Sequence, residues 1–193
     1  MSEAPRESER RVLHASTAAA GLCLLVPDFN SLARIALAMI AAVAILAEFA
    51  RRRFAPVRSA VDRAGVRWLR PDERASIAGS TWLAVGYAAT AVIWPGPVAG
   101  RAVIVAALSD PAASAVGRRF ARASGRKTAA GSAAAFVSAG AVLLAIGLLS
   151  GEGAGAEVPV AALVAAAAER VPWRGLDNLL IAPATAAALG LLA

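Results

Sequence analysis

A chain of 193 residues that is 59% hydrophobic and 17% charged, with a mean hydropathy of +0.63, is more apolar than an ordinary soluble domain, where apolar residues make up about 45–50%. Its formal charge of +7 and pI near 11.3 would suggest nucleic acid on a soluble domain. All the basic residues but Lys127 are arginines set between apolar runs, so the charge reads as membrane topology, with no nucleic-acid partner expected.

Residues 1–14 are polar, with Glu3, Glu7 and Glu9 among Arg6, Arg10 and Arg11, and with His14, the single histidine, at their end. The acids dilute the basic region that a secretory signal requires, and a second apolar run follows the first after four residues. A spanning helix over 15–26 is therefore expected rather than a cleaved signal. Cys23, the single cysteine, is expected there as a small buried hydrophobe.

A membrane-crossing helix needs ~20 mostly apolar residues. Further runs at 31–50, 75–94, 97–116, 129–149, 156–168 and 179–193 bring the expected spans to about seven, of which the first, sixth and seventh are short. The fold class that follows is an all-α multipass bundle, a single membrane domain over 1–193. Abundant alanine and glycine suit helices whose backbones approach closely.

Charge supplies an independent test of that division. With a cytoplasmic N-terminus, the inner connections contain Arg6, Arg10 and Arg11, the arginines between 51 and 74, the basic residues of 118–127, and Arg170 and Arg174. Only Arg34 and Arg101 fall near the other side, as the positive-inside rule requires. The expected location is the inner, cytoplasmic membrane, with the C-terminus outside. The outer connections 27–30, 95–96 and 150–155 read as tight turns. The basic inner loop 51–74 fits either an amphipathic helix on an anionic leaflet or a solvated loop that fixes topology.

The segment 110–132 carries the chemistry. Asp110, Ser114 and Gly117 share one side of a helix at i, i+4 and i+7, and Pro111 is expected to interrupt that helix. Broken helices at membrane depth line polar cavities. Lys127-Thr128 opens the next span, with Thr128 as N-cap and Gly131 and Ser132 three and four residues on. Free N–H groups beside Lys127, with Arg118 and Arg126 in reach, would form a phosphate site. Taken alone, the same residues also read as helix capping and topogenic charge. Glu169 and Asp177-Asn178 add acceptors at the inner ends of the last two spans. Together with Asp110, these carboxylates could hold magnesium, which binds through one or two carboxylates and the phosphates of a substrate. One histidine and one cysteine leave zinc sites and catalytic triads unsupported. Gly125-Arg126-Lys127-Thr128 lacks the glycine that precedes lysine in a P-loop.

At these residues the chain resembles the integral-membrane lipid kinases that use CTP, the dolichol, phytol, polyprenol and diacylglycerol kinase family. Asp110-Pro111-Ala112-Ala113-Ser114-Ala115-Val116-Gly117-Arg118 is similar to its D-P-x-A-x-x-x-G-R element. Lys127-Thr128-Ala129-Ala130-Gly131-Ser132 is similar to K-T-x-E-G-S, and Asp177-Asn178 with Pro183 to D-N-x-x-x-P. Arg10-Arg11-Val12-Leu13-His14 is similar to an N-terminal R-K-x-x-H, and Glu48 and Glu73 stand at the inner ends of the second and third spans. Ala130 replaces the glutamate common in the family, and Ala121 a second glycine. The resemblance implies transfer of the γ-phosphoryl group of CTP to a lipid alcohol. Asp110 and Asp177 would hold Mg²⁺, Ser114, Gly117, Arg118, Lys127, Thr128, Gly131, Ser132 and Asn178 would bind the nucleotide, and His14 or Asp110 would accept the hydroxyl proton. A more distant resemblance is to phosphatidate cytidylyltransferases, whose D-R-x-D-type ending Asp177-Asn178-Leu179-Leu180 lacks; the remaining alternative is a non-catalytic membrane scaffold or transporter in which the arginine loops only fix orientation and bind lipid.

Overall fold

The computed structural model describes residues 4–65, 73, 76–120, 127–153, 155–171 and 175–192. Arg126, Ala121 and the part of the basic loop at 66–72 and 74–75 lie outside them. Among the described residues the chain is helical, without a β-strand: α1 (Ala4–Ser16), α2 (Ala18–Leu25), α3 (Pro27–Arg53), α4 (Ala55–Gly65), α5 (Gly79–Ile93), α6 (Gly96–Phe120), α7 (Ala129–Ser150), α8 (Glu157–Glu169) and α9 (Leu176–Leu192). By length and composition α3, α6 and α7 can cross a membrane, and α5 and α9 are shorter apolar helices.

The first apolar run does not start a helix at residue 15. Helix α1 ends at Ser16, and Thr17 folds both its amide (3.0 Å) and its hydroxyl (2.5 Å) back onto the His14 carbonyl before α2 begins. Helix α3 is longer than the run 31–50, because Pro27 is suited to the first helical position and Arg51, Arg52 and Arg53 complement the dipole of the last turn. The break expected at Pro111 is absent. Proline removes the bond to the Ala107 carbonyl, but α6 is the helix on which α1, α2, α7 and α9 pack, and Ala107, Ser109, Pro111 and Ala113 are all buried. Packing on both sides of the proline carries the helix through it. Cys23 is exposed rather than buried, because α2 turns Gly21 and Leu24 inward.

The core is built from small side chains. Ala99, Ala102 and Ala107 of α6, Ala161, Ala162 and Ala165 of α8, and Ala182 and Ala186 of α9 are fully buried. Large apolar side chains point the other way: Ile35, Met39, Val43 and Leu46 of α3 and Val137 and Leu148 of α7 are exposed. An apolar outer surface around a small-residue interior suits lipid and would be a liability in water.

Contacts at the helix ends set the direction of each helix. Arg101, early in α6, pairs with Glu152 after α7, and at the other end Gly117 of α6 meets Gly131 of α7. Arg34, early in α3, donates to the carbonyls of Ala91 and Trp94 (2.8 Å for the latter) at the end of α5, while Arg51 reaches the Ser76 carbonyl before α5 at 2.8 Å. Gly175 before α9 adjoins Gly79 of α5, and Gly190 adjoins Trp94. Successive apolar segments therefore alternate in direction. Asp110, Lys127, Glu169 and Asp177 gather at one end and Arg34, Arg101 and Glu152 at the other.

A Cβ on Gly21 would come within 2.8 Å of the Gly100 carbonyl oxygen and 2.6 Å of Ile104, whereas one on Gly140 would meet only the Ala162 methyl at 3.8 Å. Gly21→Val is expected to lower stability by about 1–3 kcal/mol, and Gly140→Ala to leave it unchanged or raise it by up to ~1 kcal/mol. Thermal melts of the detergent-solubilised variants check both; equal melting temperatures would contradict the close α2–α6 approach.

Candidate functional site

The polar end begins at α7. Thr128 is the N-cap, and its side-chain oxygen accepts from the Gly131 amide at 3.0 Å. This brings Gly131 against α6: a Cβ on Gly131 would lie 3.0 Å from the Ala113 carbonyl oxygen, and one on Gly117 would lie 3.2 Å from Thr128 Oγ1. Glycine at both positions lets the two backbones touch. The D-P-A-A-S-A-V-G-R and K-T-A-A-G-S segments are joined at this point.

Lys127 joins the second segment to the third. Its ammonium lies 2.7 Å from Asp177 Oδ2 and 2.9 Å from Glu169 Oε1, and it also donates to the Glu169 carbonyl. Ser132 Oγ lies 3.3 Å from the other Glu169 carboxylate oxygen. Burial opposes the charged form of Lys127, but Asp177 and Glu169 together outweigh it and hold the lysine pKa above its ordinary value. The pairing therefore stabilises the fold fully below the ordinary lysine range, and that contribution is lost only as pH rises through the raised value.

From Asp177 the polar contacts continue. Its Oδ1 accepts from the Asn178 amide at 3.0 Å, and Asn178 Nδ2 donates to the Gly79 carbonyl at 3.3 Å. The Gly79 amide donates to Glu73 Oε1 at 3.0 Å, which lies 3.5 Å from Arg10 of α1. One turn further along α1, His14 Nδ1 is 3.3 Å from Asp110 Oδ2. Asp110 is on α6, which returns through Gly117 to Thr128, so the contacts close into a ring across α1, the start of α5, α6, α7, α8 and α9. Buried Arg51 braces it from α3, bonding Glu48 at 2.6 Å and the Glu73 carbonyl at 3.2 Å.

The contacts add detail to the expected site. The start of α7 is not a row of free donors, because the Thr128 cap takes the Gly131 N–H for itself. Lys127 is held by the carboxylates of α8 and α9. Asp110 and Asp177 have different partners, His14 and Lys127, and the carboxylate beside Asp177 is Glu169. Ser114 and Gly117 are half-buried on the Asp110 side, and Arg118 is exposed beyond them. Among the described residues no group of three or more His, Cys, Asp or Glu could hold a metal. Magnesium requires fewer protein ligands when phosphates complete its shell, and two carboxylates converging on one ammonium have the donor chemistry for it.

One participant was not evident from spacing. Tyr87, the single tyrosine, is 2% exposed and its hydroxyl lies 3.2 Å from Thr17 Oγ1. Its signal was a polar-tipped aromatic within a helix of small residues.

The fold and these contacts define a helical, membrane-type protein with its polar contacts gathered at one end of the bundle. No family model, curated protein or solved structure matches the chain.

Lys127→Met would leave the Glu169 and Asp177 carboxylates, 8% and 17% exposed, without their cation. The expected loss is about 3 kcal/mol, toward the low end for a broken buried pair because Lys127 itself is partly exposed. Adding Glu169→Gln and Asp177→Asn should restore much of it. Thermal melts of the single and triple variants test the coupling, which is refuted if the triple variant is the least stable.

Proposed function

We propose that the chain is a multipass membrane kinase of about seven spans, with its N-terminus and its polar ring on the cytoplasmic side of the inner membrane. It transfers the γ-phosphoryl group of a nucleoside triphosphate, with CTP the expected donor, to the hydroxyl of a lipid alcohol of the polyprenol, phytol, dolichol or diacylglycerol type. The observation that carries this reading is the ring: three segments that resemble the lipid-kinase elements, far apart in sequence, are brought into contact through Gly117–Gly131 and Lys127–Asp177. The alternating helices and the positive-inside charge support the topology, with α3, α6 and α7 long enough to cross and the shorter α2, α5, α8 and α9 making up the remaining segments of the count.

In this reading the lipid hydroxyl oxygen bonds to the γ-phosphorus while the bond from that phosphorus to the β–γ bridging oxygen breaks, and the nucleoside diphosphate leaves with the electron pair. The hydroxyl proton passes to His14 or to Asp110, which lie together at the ring. Lys127 and Arg118 offset negative charge on the phosphates, Thr128, Gly131 and Ser132 shape the floor on which they rest, and Asn178 orients the Asp177 carboxylate. Asp177, with Glu169 beside it and Asp110 across the ring, would hold magnesium. The ion would supply charge neutralisation for the triphosphate. Phosphoryl transfer requires mainly positioning and charge stabilisation, and this set of residues can provide both.

Protein purified into lipid, given magnesium, CTP labelled at the γ-phosphate and a panel of lipid alcohols, is expected to produce labelled lipid phosphate. Asp110→Ala and Lys127→Ala are each expected to lower the rate at least ~100-fold. Absence of transfer from CTP, ATP, GTP and UTP would overturn the proposal. Label from the α-phosphate entering lipid, with release of pyrophosphate, would identify a cytidylyltransferase instead.

A further inference from the structure

The break between α1 and α2 falls where the ring meets the apolar bundle. Thr17 is the only residue between the two helices, and its hydroxyl contacts two partners: the His14 carbonyl at 2.5 Å and the Tyr87 hydroxyl at 3.2 Å. Tyr87 is almost completely buried in α5. Helix packing alone gives no reason for a tyrosine here; a phenylalanine would fill the same volume without a polar tip to satisfy. Other buried hydroxyls are used differently: Thr90 and Thr185 each bond a carbonyl four residues back in their own helix. The Tyr87–Thr17 contact instead joins α5 to the backbone of the residue whose imidazole faces Asp110.

We infer that Tyr87 and Thr17 form a positioning latch that holds the α1–α2 break and thereby sets the His14 imidazole against Asp110. Resting on the lipid-kinase reading, the latch aligns the pair that receives the proton of the lipid hydroxyl. Tyr87 and Thr17 are positioning residues, because they act through His14. A latch at the helix break also explains why a segment otherwise able to form one continuous helix is divided one residue before its apolar part.

The test uses the fact that His14 is the only histidine. Protein labelled isotopically at histidine gives one imidazole NMR signal, readable in lipid nanodiscs without any catalysis. Tyr87→Phe and Thr17→Val are each expected to move that signal from its wild-type position, while Thr17→Ser, which keeps the hydroxyl, leaves it in place. Thr90→Val removes a buried hydroxyl from the same helix α5 and should not move it. In the transfer assay, Tyr87→Phe and Thr17→Val should lower kcat about tenfold with KM for CTP unchanged, and Thr17→Ser should retain wild-type kcat. An imidazole signal unchanged in both Tyr87→Phe and Thr17→Val overturns the latch, whatever the kinetics. If wild-type protein transfers no phosphoryl group, the kinase reading falls by itself and the displaced signal still decides the latch.

Discussion

Lys127 precedes α7, yet its ammonium is bound by the last residue of α8 and the second residue of α9. Three helix ends thus meet at one cation. A lysine there could extend into water; it remains because two carboxylates, each largely withdrawn from solvent, require a counter-charge and no other described cation is paired to both. The dependence is mutual. Without Lys127 the ends of α8 and α9 repel each other, and without the carboxylates Lys127 has no reason to cross from α7. The positions of Asn178, and through it of Gly79 and Glu73, follow from where Asp177 is held.

Small residues make this arrangement possible. A polar ring can close only if the helices that carry it are near enough for short side chains to meet, and bulky cores would separate them. Gly131 on the Ala113 carbonyl, Gly86 on the Leu179 carbonyl and Gly21 on the Gly100 carbonyl are close backbone contacts that a Cβ would crowd. The alanine content that looks like compositional bias is therefore a geometric requirement: it sets the spacing between helices at which Lys127, Asp177 and Glu169 can reach one another.

Much of this was legible in the sequence because the signals were local. Apolar runs gave the helices, the arginines marked which ends belong together, and Thr128 three residues before Gly131 is a cap whose bond forms as its spacing implies. What was not legible depended on distance in three dimensions. Pro111 reads as a break, but whether a proline breaks a helix depends on what packs around it, and α6 is surrounded. Asp110 and Asp177 are natural partners as the two acids of two motifs. Which carboxylate is next to Asp177 was decided by the packing of α8 against α9, which sets Glu169 on the same ammonium. Thr17 looked like one more residue of an apolar run, and only the position of Tyr87, seventy residues on, gives it a role.

Two of the arginines on α3, Arg34 and Arg51, have a mechanical consequence. Arg34 grips the end of α5 through Ala91 and Trp94, and Arg51 grips the approach to its start through Ser76. Their separation along α3 corresponds to a rise of roughly 25 Å, close to the thickness of a bilayer's hydrocarbon layer. Helix α3 is thus fastened to α5 at two points rather than resting on it, and sliding by one turn would strip both guanidinium groups of their carbonyls at once. Since α3 carries a long apolar face, a bilayer that thins or thickens cannot tilt it independently; the pair must answer as one rigid stave.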